Sequence, residues 1–162
     1  MHKTEFDHRE LPEFQRRVFL RWRAALRGDR LPSMDEFDFG LQDPSGTLIV
    51  VEIHRDAQGV AEDFSPIYMG PALDQGAGRR FLGRKISTIP GKGPGSRIWA
   101  AYQALANDGV PLFVTLPFVG EKPGIGATCE IVLPLSGRDP TRADFALTAL
   151  TFVPAQSTIT AP

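Results

Sequence analysis

The stretch Phe64–Gly83, FSPIYMGPALDQGAGRRFLG, decides how the chain is read. It begins as a strand, breaks at Gly70-Pro71, passes through a short glycine-punctuated segment and stops at Gly83. Extended chain lies before it. Thr47–His54, rich in Val and Ile, reads as a first strand, Asp56-Ala57-Gln58-Gly59 as a hairpin turn and Val60–Met69 as a second strand. Pro66 inside the second strand points to an edge position or a bulge, because proline has no N–H for a central ladder. Ala72–Gln75 and Ile86–Ile89 have room for single helical turns only.

Downstream, Pro90–Gly95 is a glycine-rich connector. Ser96 is a good N-cap for a helix running to Asn107, with Gly109 just beyond its end. Leu112–Val119, Ala127–Leu135 and Phe145–Val153 read as three more strands, and their short connections suit an antiparallel meander. Alternation in the fourth strand puts Cys129, Ile131, Leu133 and Leu135 on one face. The fifth is fairly apolar on both faces, as expected of a sheet covered on both sides.

The plausible second cover lies upstream. Leu11, Phe14, Val18, Trp22 and Ala25 recur at steps of three and four, predicting an amphipathic helix over 11–27. Its other side is rich in arginine, which reads as a solvated face or a docking surface for an acidic partner. Ser33 and Glu36 have capping-box spacing. Residues 1–9 are polar and expected to be flexible, 10–153 to form one domain, and the tail 154–162 to be disordered.

A chain of 162 residues is one domain's worth, and it is 42% hydrophobic, 23% charged and of net charge −1. That balance argues against a bulk nucleic-acid or membrane surface. Cys129 is the single cysteine, so no intrachain disulfide forms. No apolar run is long enough for a membrane span, and the N-terminus lacks the core of a secretion signal. A cytoplasmic location is the default expectation.

The order two strands, short helices, a longer helix, three strands is that of a PAS domain. Locally, WRAALRGDRLPSMDEFDF (22–39), FSPIYMGPALDQGAGRRFLGRKI (64–86) and CEIVLPLSG (129–137) resemble the bacterial PAS_5 family, common in alphaproteobacteria. The matching positions are Trp22, Arg23, Arg27-Gly28, Arg30-Leu31-Pro32, Phe37-Asp38, Phe64, Gly70, Gly83-Arg84 and Leu133-Pro134-Leu135-Ser136. The resemblance implies an α+β fold: a PAS-like five-stranded antiparallel sheet with short helices on one face. It also implies a sensory or protein-interaction role, often as a homodimer, and no shared ligand or reaction. This chain departs from the family at Pro71, where Thr is common, and at Glu52-Ile53-His54, where an Asp is common near the strand end.

Few constellations suggest other chemistry. Gly91-Lys92-Gly93-Pro94-Gly95-Ser96 fails the phosphate-loop pattern, since Gly93 rather than Ser or Thr follows the lysine. Asp38-Phe39-Gly40 has the letters of a kinase metal motif in a chain too short for a kinase. Glu52 and His54 share a strand face but lack a third metal ligand, so no metal is expected. Asp35, Glu36 and Asp38 read as a solvated acidic edge. Cys129 reads as a buried apolar residue. A flavin-adduct domain carries its cysteine in an Asn-Cys-Arg motif, and haem-type sensors place a histidine on the long helix. Neither signature is present, so flavin and haem are disfavoured and no cofactor is expected.

The expectation is a non-catalytic sensory or regulatory module. Ile67, Met69, Leu73, Phe81, Ile86, Trp99, Tyr102, Leu116 and Ile131 are candidates to line a pocket between sheet and helices, or plain core. Trp99 and Tyr102 carry polar tips suited to orienting a small molecule. The apolar face Leu11, Phe14, Val18, Trp22 and Ala25 is the candidate contact with a second copy or a signalling partner. The alternatives are a small cone-fold enzyme of the NTF2-like class, which needs a buried group with a shifted pKa, and a ligand-free adaptor subunit.

Overall fold

The structure is a computed structural model describing residues 6–36, 46–74, 81–118 and 123–155. Strands β1 (Leu48–Arg55) and β2 (Ala61–Met69) are joined by the expected turn, in which Asp56 Oδ1 accepts from the N–H groups of Gln58 and Val60 at 2.8 and 2.9 Å. Strands β3 (Leu112–Pro117), β4 (Ile125–Ser136) and β5 (Ala143–Pro154) follow as an antiparallel meander. β1 pairs with β5, so one five-stranded sheet runs in the order β2-β1-β5-β4-β3. This is the PAS-like α+β arrangement expected above. β4 and β5 are longer than their alternation suggested, because they pair with each other from Ile125↔Pro154 to Ser136↔Ala143.

Both sheet faces are covered. Helix α1 (Glu13–Ala24) packs on β4 and β5 from one side. It is shorter than the expected 11–27: Pro12 holds the N-cap position, and past its end the Arg27 guanidinium donates to the carbonyls of Ala24 and Leu26. Val18, Phe19 and Trp22 are buried against the sheet together with Gln15, whose amide donates to the carbonyls of Cys129 (2.7 Å) and Ala149 (3.0 Å). Phe6, within the segment 1–9 expected to be flexible, packs its ring centroid 5.4 Å from that of Phe19 and 6.1 Å from that of Phe113. Phe113 pairs in register with Ile131, which places Ile131 on the α1 side of the sheet.

Beyond Leu112↔Val132 the strand β4 has no β3 residue beside it. The segment around Pro32 takes that place: the Ser136 N–H donates to Pro32 O at 2.9 Å and its hydroxyl to Leu31 O at 3.2 Å. Pro134 has no N–H to leave unpaired there, and its carbonyl accepts from Trp22 Nε1 at 2.7 Å. The motifs Trp22, Leu31-Pro32 and Leu133–Ser136, far apart in sequence, are thus one contact, and the reason for these residue types is structural.

Ile67 is the extra residue of a bulge, since Val50 pairs with Tyr68 and Val51 with Pro66. The sheet turns the corner at Gly70, whose N–H donates to Leu48 O at 2.8 Å, and helix α2 (Pro71–Asp74) begins with proline, as a first helical turn tolerates. Gly46 passes so close that a Cβ on it would lie 2.7 Å from Ala72 N, and its φ of +66° also favours glycine. The chain then returns to where it left β2, with the Gly83 N–H donating to Pro66 O at 2.7 Å.

Candidate functional site

The sheet face opposite α1 is fixed by register. Leu116, Thr128 and Phe152 lie side by side, then Val114, Glu130 and Leu150, then Leu112, Val132 and Thr148. Helix α3 (Arg97–Asp108) covers this face. Ser96 caps it, accepting from Trp99 N at 3.2 Å, and Gly109 ends it in the left-handed conformation at φ 63°. The buried side of α3 presents Trp99, Tyr102 and Leu105. Phe64 meets Trp99 edge-on at 5.1 Å between centroids and lies 5.6 Å from Tyr102. The Tyr102 hydroxyl is 3.4 Å from Thr148 Oγ1.

Glu130 projects into this interior and is only 5% exposed. Burial raises its pKa above the ordinary 4.5, against the opposing pull of a hydrogen bond from Thr128 Oγ1 (2.6 Å to Oε1) and the charge of Lys92. Burial and the nearby glutamate push the Tyr102 phenol well above its ordinary value. Burial lowers the Lys92 ammonium, with Glu130 partly restoring it. Lys92 Nζ sits 4.8 Å from the Phe81 ring centroid. Among the described residues no direct ion pair joins Lys92 to Glu130. An acid, an amine and a phenol therefore act on one another at this covered face, each with a proton affinity shifted chiefly by burial, a combination by which candidate sites are recognised.

The segment that brings in Phe81 and Lys92 is pinned at its middle. Ser87 Oγ donates to Asp63 Oδ2, and the N–H groups of Phe64 and Ser87 donate to Asp63 Oδ1 at 2.8 and 3.3 Å. Burial alone would raise the Asp63 carboxyl, but these bonds and Lys85 outweigh it and hold the pKa below 3.8. Ile86 and Ile89 are buried beneath the single 3-10 turn Ile86–Thr88.

Of the pocket candidates, Trp99, Tyr102 and Leu116 are buried on the Glu130 side, and Phe81 borders it beneath Lys92. Met69 shares that face through its pairing with Ile49 and, beyond it, Thr148. Ile86 is buried in the adjoining turn, and Leu73 is half-buried in α2. Two candidates are corrected. Ile131 faces α1, because its register partner Phe113 does, and Ile67 is 39% exposed, because the bulge turns it outward.

The candidate contact helix is corrected too. Leu11, Val18 and Trp22 are buried in the protein's own core, Phe14 is packed against it and Ala25 ends the helix half-buried, so this face is already occupied. His54 Nε2 lies 2.8 Å from Ser65 Oγ, and the half-buried Cys129 has Thr115 Oγ1 3.4 Å from its sulfur. Ser33 and Glu36 form the expected capping box, with Asp35 N donating to Ser33 Oγ and Ser33 N to Glu36 Oε2. Asp38-Phe39-Gly40 lies outside the described residues.

Sequence reasoning missed Glu130, Thr128 and Lys92. The signal was present: if Cys129 and Ile131 face one covered side, Thr128 and Glu130 face the other, and two-sided cover buries them.

No family model matches the chain, and no curated protein matches it. Among solved structures, a fungal LOV domain photoreceptor is similar at 20% identity and a TM-score of 0.48, over 85% of this chain and 90% of that one. Among the described residues, no helix is long and apolar enough to cross a membrane.

Proposed function

We propose that this protein is a sensory module of the PAS type, akin to the bacterial PAS_5 family in its motif text, that binds a small molecule and performs no catalysis of its own. Support for the PAS assignment comes from the strand order and from the contact of the Trp22, Leu31-Pro32 and Leu133–Ser136 motifs. The observation that carries ligand binding is Glu130, a buried carboxyl on the inner sheet face with Tyr102 and Lys92 around it. Such a group is costly to a fold that has no use for it. Occupancy of this space favours one packing of 81–96 and α3 over another. The shift leaves the molecule, inside the cell, through contact with a second copy or a signalling partner. Since the apolar face of α1 is engaged with the sheet, that contact falls on another surface.

The test is a thermal-shift screen with a metabolite library, each hit followed by light scattering for subunit number. The expected result is at least one compound that raises the melting temperature by several degrees, as ligand well above its Kd does. No hit in any chemical class would remove the sensory reading. A second reading, a small enzyme, is favoured by Glu130 alone: a carboxyl with raised pKa is suited to general acid–base work. Turnover of any screened compound, abolished by Glu130→Gln, would establish it.

A further inference from the structure

An ammonium group already acts on the inner face. Lys92 lies on a segment with glycines at 91, 93 and 95, two of them with φ of 80° and 90°, and its Nζ stands over the Phe81 ring. Its charge acts on Glu130, and among the described residues no direct ion pair joins the two. Glu130 in turn is held by one hydrogen bond, from Thr128, among the described residues, whereas a carboxylate can accept about four. The site thus combines a buried acceptor of unused capacity, aromatic side chains at Phe81 and Tyr102, and a half-buried cation that makes no direct ion pair with the acceptor.

We propose that this space is a binding site for small molecules carrying a primary ammonium on an apolar, aryl-sized body, and that Lys92 is the group such a ligand displaces. The assignment rests on the sensory reading above and names its ligand class. Exchange of one ammonium for another keeps Glu130 compensated, so the ligand does not have to expose a bare buried charge. Lys92 gains by leaving, since water solvates its ammonium better than the half-buried position does. A carboxylate ligand would meet the like charge of Glu130, and a neutral one would release the lysine with nothing in its place. Displacement also releases the glycine-rich stretch 91–95 beyond the Ser87–Asp63 anchor, which couples occupancy to the packing change.

The experiment is a calorimetric and NMR titration of the whole chain with phenethylammonium, 3-phenylpropionate and 2-phenylethanol as probes. Phenethylammonium is expected to bind and the other two are not. Lys92→Met, which removes the internal competitor and keeps the side chain's length, is expected to tighten phenethylammonium binding about tenfold or more, roughly 1.4 kcal/mol. Glu130→Gln, its fold checked by circular dichroism, is expected to abolish it. Absence of phenethylammonium binding to both the wild type and Lys92→Met overturns the proposal, as does preferential binding of the carboxylate. If the metabolite screen yields only ligands without an amine, the sensory reading stands and the ammonium assignment falls. If the screen yields nothing and phenethylammonium also fails, both fall.

Discussion

Trp22 Nε1 donates to the carbonyl oxygen of Pro134 at 2.7 Å across 112 residues of sequence. The bond joins α1 to the part of β4 that β3 no longer reaches, beside the seat of Pro32 on Ser136. It holds the second cover on the sheet. Trp22→Phe keeps an aromatic ring, though a smaller one, and removes the donor, leaving a buried carbonyl short of a partner. The expected loss is about 1–3 kcal/mol in urea unfolding, with no change in ligand binding on the opposite face.

Ser87→Ala removes the main side-chain donor to Asp63. The expected effect is local: amide exchange over 85–92 about tenfold faster, with the strands unchanged. Asp63 also gives this anchor a pH dependence. Its folded pKa lies below 3.8, so the stabilisation is present above the unfolded value and is lost as pH falls through the folded one. Exchange in this segment, corrected for intrinsic rate, should therefore accelerate at acid pH in the wild type and show little such change in Ser87→Ala.

Glu130 acts in the opposite sense. Its folded pKa is raised, so between the unfolded and folded values the native state binds more protons and stability falls as pH rises. Glu130→Gln can still accept from Thr128 and cannot ionise. Its melting temperature should exceed the wild type's at about pH 8, and the gap should narrow towards about pH 4, below the unfolded value. A constant difference across that range would mean that Glu130 ionises as readily as a surface glutamate.

Two isoleucines separate the faces. Ile131 is fully buried on the α1 side, and Ile131→Ala should cost about 2–5 kcal/mol without altering ligand affinity. Ile67 is 39% exposed at the bulge, and Ile67→Ala should stay within about 0.5 kcal/mol of wild type. Denaturant titration checks both.

The strands were legible because alternation is local. Pro66 announced the bulged edge strand, and Ser96 and Gly109 announced the ends of α3. The faces were less legible. Alternation says that Cys129 and Ile131 share a side, but which helix covers that side depends on contacts such as Gln15 to Ala149, more than 100 residues apart. Assigning Ile131 to the wrong side hid Glu130 on the other. Lys92 was hidden differently: it stands in a glycine-rich connector tested only against the phosphate-loop pattern, and its place over Phe81 depends on tertiary packing of the segment that Ser87 anchors on Asp63. The apolar stripe of α1 was plain in sequence, but a stripe does not say whether it serves the sheet or a partner.

Whether the Glu130 face receives a small molecule is decided by native mass spectrometry of the wild type and Glu130→Gln purified side by side from cells. A non-covalent adduct of small-molecule mass is expected on the wild type, lost or sharply reduced in the variant. A wild type that flies bare under all gentle conditions, or an adduct held equally by Glu130→Gln, would contradict it.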